Sequence, residues 1–368
     1  MRTGRVRHCL ALFAGAVTLA SGAAAVVSPT PAYAGTPSAP IDLSEEPFSY
    51  SQPFVPSRWS VPALPSGTNA ACLTAGSSTT QTPVPGCGGT TDPGGQGALR
   101  LTGASGATEG GVSSAFALPT SSGLDFTFDT YQYGGTGSPG DGLLFYLAAT
   151  DPSNPSAASS LGGAGGDLGY TSGNSAATGV TNAYLGVGLD VYGDFSSSSS
   201  DGTGCTDPSW AAQAANAVTI RGPGEGTQGY CLMSSTAAGG GLRGSLSSSA
   251  TIRAGAVVPV EVAINPTASA TTTASGLTVP AYSYLVSVTP IGSGTQTISG
   301  SLPDDTYLPS GDSYWTSSST GIPYQVVFGF AASTGTYDQV HEVSNLAVAP
   351  LSTTAPAVLS VAMTDNDA

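Results

Sequence analysis

The sequence predicts an all-β domain of the sandwich or barrel type. Three observations lead there. Short apolar or alternating runs recur between clusters of Gly, Ser, Pro and Asp; β-branched and aromatic residues gather inside those runs; and no long stretch carries a helical period. Charged residues make up only 8% of the chain, whereas a disordered chain combines low hydrophobicity with high charge, so disorder throughout is excluded.

Taken in order, the expected strands begin at residues 98–102 and 111–118, each an apolar run closed by a turn signal. Residues 124–131 (LDFTFDTY) alternate with period two, the mark of a half-buried strand. Residues 143–148 and 184–192 are nearly continuous apolar runs, and 217–221 is shorter. Residues 257–264, 282–288, 295–302, 324–331 and 343–348 complete the set. Residues 210–217 allow one or two helical turns at most. The low-complexity segments 152–166, 196–200 and 268–275 are expected to lengthen loops, at small entropic cost. One domain over residues 46–350 accommodates all of this, and no internal repeat interrupts it.

The chain opens with an export signal. Arg2, Arg5 and Arg7 precede an apolar run from Cys9 to Val27, and Ala32-Tyr33-Ala34 provides the small-x-small cleavage pattern, giving a signal over 1–34. The run approaches membrane-spanning length, but Pro29 and Pro31 break it just before the cut; cleavage after Ala25 is the alternative. Residues 35–45 read as a polar linker. Beyond residue 350 a second linker leads to a lone apolar run, 358–364, expected to begin a further domain.

Removing the signal leaves five Arg, no Lys and 23 acids, a net charge of −18. Such a surface repels nucleic acid and anionic lipid and suits calcium or neutral ligands. Cys72, Cys87, Cys205 and Cys231 remain, an even number fitting an exported chain with two disulfides. Four cysteines allow three pairings, of which Cys72–Cys87 with Cys205–Cys231 is the simplest. No C-x-x-C is present, and His341 is the only His after the signal, which argues against zinc.

Four segments carry candidate chemistry. Gly140-Asp141-Gly142 heads an apolar strand, where Asp141 could accept hydrogen bonds from paired hydroxyls; the same tripeptide is also an ordinary turn. Gly165-Gly166-Asp167 lets main chain approach a ligand, or is simply a flexible loop. Asp190 and Asp194 bracket Tyr192, whose carbonyl points the same way in an extended chain; two carboxylates and a carbonyl are the hard oxygens Ca²⁺ takes. The last segment, 327–343, runs from a buried strand through Ser333, Gly335, Thr336, Tyr337 and Gln339 to His341, which is expected to be structural.

In this order the four segments resemble the L-type lectins, the legume and concanavalin A-like group with its bacterial secreted relatives. The resemblance spans roughly Phe48 to Leu351 and implies a jelly roll of two large antiparallel sheets with glycan bound at loops. By carry-over, Asp141 anchors the sugar, Gly166 donates a main-chain N–H, and Gly335–Gln339 form the specificity loop. Asp190, the Tyr192 carbonyl and Asp194 would hold calcium, with Asp207 or Asp201 completing the set and Asp194 also touching the sugar. Gly188 and the neighbourhood of Ala217 stand where plant members hold a transition metal, so no manganese is expected. Tyr337 and Tyr170 are the candidates for stacking on a sugar face, and both could equally be ordinary packing residues.

The expected protein is thus a secreted, calcium-dependent lectin and not an enzyme. A retaining glycosidase needs two carboxylates about 5–5.5 Å apart, and the 188–193 strand has no Glu. No Gly-x-Ser-x-Gly elbow supports a serine hydrolase. The remaining alternative is an adhesin module that keeps the sandwich without binding sugar.

Overall fold

The computed structural model describes residues 48–49, 58–89, 92–173, 178–308 and 315–351, all within the compact unit Pro40–Ala368. The expected signal (1–34), linker (35–45) and terminal run (358–364) lie outside the described residues. The principal strands are β1 (Leu99–Thr102), β2 (Glu109–Ser114), β3 (Leu124–Tyr133), β4 (Gly142–Ala149), β5 (Ala183–Asp190) and β6 (Ala217–Arg221). They continue with β7 (Leu232–Ser235), β8 (Val257–Asn265), β9 (Ser283–Val288), β10 (Gln296–Ser301), β11 (Gln325–Ser333) and β12 (Val340–Ala349).

These strands form two antiparallel sheets. The first runs β2–β11–β4–β5–β6–β7, and the second runs β10–β9–β8–β3–β12–β1. The all-β class and the two-sheet sandwich expected of a concanavalin-like jelly roll are therefore present. Period-two alternation sends Phe126 and Phe128 of β3 inward to meet Phe145 of β4 and Phe328 and Phe330 of β11, with ring centroids 5.0–5.5 Å apart. Val258, Val260, Val262 and Ile264 of β8 extend the same core.

Strand β4 does not alternate because both its faces are covered. Leu143, Phe145 and Leu147 enter the inter-sheet core. Leu144 and Tyr146 enter a second cluster with Leu168, Tyr170, Phe195 and Tyr230, supplied by loops folded over the outside of the first sheet. Those loops bring the candidate ligand residues onto the sheet.

Three local expectations are corrected. Residues 210–217 form no helix; they are turn and coil until β6 begins at Ala217. The 196–200 serines are not a plain spacer, because they lie in two 3-10 turns, Asp194–Ser196 and Ser198–Ser200, with Ser196 and Ser200 buried. Residues 111–118 do not form one strand: β2 ends at Ser114, where Ser114 Oγ donates to Phe116 O, and Leu118–Pro119 pairs separately with β11.

Both local disulfides, Cys72–Cys87 and Cys205–Cys231, are formed. Among the described residues no helix is long and apolar enough to cross a membrane.

Candidate functional site

Sheet register builds the site. Strand β4 runs antiparallel to both β5 and β11, so its first residue, Gly142, lies between Asp190 at the end of β5 and Ser333 at the end of β11. Asp141 therefore emerges between the segments that carry Asp190 and Gly335. Its own backbone holds it there: its N–H donates to Ser333 O (3.0 Å), and its carbonyl accepts from Val191 and Tyr192 (3.1 Å each). The Gly140–Asp141 peptide is cis.

Asp141 is 6% exposed, and its Oδ2 is buried with no hydrogen-bond partner among the described residues. Burial pushes its carboxyl up to about 6, the Gly335 amide pulls it down, and the Asp194 charge pushes it further up. A methyl at Gly335 would come 2.9 Å from that Oδ2, so only glycine leaves the oxygen open on that side. On the other side Ser333 Oγ donates to Gly165 O (2.7 Å) and draws the glycine loop over the acid. Gly166 packs directly against Asp194.

Asp190 is fully buried. Its Oδ1 accepts from Gly193 N (2.6 Å), and its Oδ2 has no partner among the described residues. Burial, followed by repulsion from Asp194 and Asp141, pushes it up to about 8 against the amides of Gly193 and Phe195. Asp194, more open, is also raised by burial. Three sequence-selected acids are thus brought together. Beside them Tyr192 and Tyr337, both half-buried, pair at 5.3 Å, with Tyr337 resting on Gly140, and Thr336 is exposed.

Other expected residues have different surroundings. Asp207 is exposed with its carboxyl beside Asp201, and Asp201 is ion-paired with Arg221. The two acids left open as the last calcium ligand are therefore joined to one another and to Arg221. A Cβ at Gly188 would run into the Phe195 ring, so an aromatic ring fills that place. Tyr170 cannot stack on a ligand: it is fully buried between Phe195 and Tyr230, with its hydroxyl donating to Gly222 O (2.9 Å). His341 is fully buried with Nδ1 2.6 Å from Thr102 Oγ1.

Sequence reasoning missed Glu109, Asp167 as a charged neighbour, and Arg221. Glu109 lies opposite Ser333 in the β2–β11 register and is pushed up to about 8 by burial and then by Asp167. No signal in its own segment marks it, because the pairing is non-local.

No family model and no curated protein matches the chain. Among solved structures it is similar to the winged bean acidic lectin complexed with methyl-α-D-galactose, at 15% identity over 83% of this chain and 96% of that one, TM-score 0.45. A peanut lectin with a nine-residue peptide follows, at 18% identity over 78% and 95%, TM-score 0.41. The lumenal domain of VIP36 in a Ca²⁺/Man3GlcNAc-bound form is similar at 12% identity over 72% and 84%, TM-score 0.39.

Proposed function

We propose that the protein is a secreted carbohydrate-binding protein, a lectin without catalytic activity, whose site lies between Asp141, the Gly165-Gly166 loop, Asp194 and the Gly335–Tyr337 loop. The observation that carries this reading is the Asp141 carboxylate oxygen, buried, unpartnered and flanked by glycines. A buried acceptor left open loses about 1–3 kcal/mol relative to a satisfied one, and a glycan hydroxyl pair is a fitting donor. Tyr192 and Tyr337 supply an aromatic edge for the apolar face of a sugar ring. Two disulfides and the export signal support an extracellular setting.

Calcium fits this site in part. Asp190 Oδ2 is an orphaned buried oxygen, and after burial itself the Asp194 charge raises both Asp141 and Asp190, with Asp141 also raising Asp190. Among the described residues no three His, Cys, Asp or Glu side chains form a finished metal cluster. Asp190, Asp194 and the Tyr192 carbonyl are the groups that would hold the ion, in a hard-oxygen set. Bound calcium would neutralise the two carboxylates and hold their loop. Asp141 accepts hydroxyl protons, the Gly166 main chain donates, and Gly335 keeps the acceptor accessible.

Glu109 and Asp141 are both raised, as catalytic carboxyls often are. Glu109 Oε1, however, is sealed beneath Gly169, whose would-be Cβ meets it at 3.2 Å, which supports binding over hydrolysis. The test is Asp141→Ala: it abolishes glycan binding while the melting temperature stays near that of the parent. A folded variant that binds normally removes Asp141 from the site.

A further inference from the structure

Arg221 is among the largest fully buried side chains of the described residues, and it ends β6 beneath the loop that follows Asp194. An uncompensated guanidinium cannot be held there, so its partners define its purpose. Nε donates to Phe195 O (3.0 Å), Nη2 to Ser197 O (2.7 Å) and Nη1 to Tyr230 O (2.9 Å). Nη1 also pairs with the Asp201 carboxylate, whose Oδ1 accepts Leu232 N as well (3.2 Å). The guanidinium carbon lies 4.9 Å from the Phe195 ring centroid. Three carbonyls and a carboxylate form an oxygen shell of the kind that holds a hard metal ion. Here a planar cation carried by the chain occupies it, and the fork geometry of arginine suits several acceptors at once.

The shell connects to the ligand cleft. Phe195 directly follows Asp194. Ser200, one residue before Asp201, donates from Oγ toward Gly166 O (3.2 Å) and Asp194 O (3.3 Å). Fixing residues 195–201 therefore fixes Asp194 against Gly166. A divalent ion at Asp190 and Asp194 would contact, within this loop, its first residue.

We propose that Arg221 is an internal, non-exchangeable cation that positions the 194–201 loop, so that the loop stays ordered when divalent metal is removed. It is a positioning residue, and its consequence for ligand binding rests on the glycan reading given above; its effect on loop order does not.

The experiment measures amide hydrogen exchange on the mature chain with divalent metal removed by excess EDTA and again with added calcium, for the parent, Arg221→Lys, Arg221→Met and Asp201→Asn. In the parent, 195–201 amides keep their protection in EDTA within about tenfold of the calcium sample. Arg221→Met exchanges there about a hundredfold faster or more while β3 and β8 stay protected. Arg221→Lys, which keeps the charge without the fork, falls between them. If Arg221→Met does not fold, Asp201→Asn carries the test, with exchange in the same loop rising at least about tenfold. EDTA alone opening the parent loop as far as Arg221→Met does would overturn the proposal, as would unchanged loop protection in either substituted protein. A parent loop that behaves as expected in a chain that binds no glycan retires the lectin reading and leaves this one standing.

Discussion

Gly166→Ala tests the contact between the glycine loop and Asp194. The new methyl would lie 3.2 Å from Asp194 Cγ and Oδ2 and under 3.0 Å from its Cβ. Ordinary contact begins near 3.4 Å, so the two segments must separate by roughly 1 Å. A rotamer change cannot relieve this, because Cβ is fixed to the backbone and the next residue, Phe195, is locked against Gly188. Overpacking of this kind costs about 1–3 kcal/mol. If about half of that falls on the bound state, glycan affinity drops roughly two- to tenfold. Melting temperature falls by roughly 2–6 °C. Titration calorimetry beside a thermal melt measures both. Gly103→Ala is the control, since its methyl meets nothing within 4 Å and its backbone needs no positive φ; it should be neutral. A Gly166→Ala protein with parental affinity and parental melting temperature would refute the packing argument.

Two further predictions concern pH. Asp190 and Glu109 have folded values near 8, above their ordinary carboxylate range, so the folded state holds protons that the unfolded chain releases. Their contribution is full below about pH 4 and is lost as pH rises to about 8; in EDTA the urea midpoint should fall across that window, and calcium, which binds the ionised forms, should reduce the fall. His341 acts oppositely: burial depresses it to about 3, so its contribution, at most about 4–5 kcal/mol, is present above pH 6.5 and lost as pH falls toward 3. His341→Gln should flatten that acid limb, and an unchanged limb would place its origin elsewhere.

The strands were legible because apolar periodicity is local. Residues 124–131 alternate and became β3, and the apolar run at 143–148 became β4. Asp141, Asp190 and Asp194 were legible because turn glycines flank each of them or their loops, and register then brings the three together. Arg221 was not legible: its acceptors are main-chain carbonyls at 195, 197 and 230, which no side-chain pattern records. Of the two readings open for Tyr170, stacking and packing, the structure shows packing, because burial of a loop aromatic depends on what the sheet offers beneath it. Gly186 offers a bare backbone on which that ring packs, with its would-be Cβ 2.7 Å from Tyr170 Cε1.

The most direct measurement is a glycan array on the mature domain, run once with calcium and once with chelator. A lectin binds a defined set of glycans here, and that binding weakens in chelator while the domain stays folded. A folded protein that binds no glycan in either condition would contradict the lectin reading and leave a sandwich module without a sugar site.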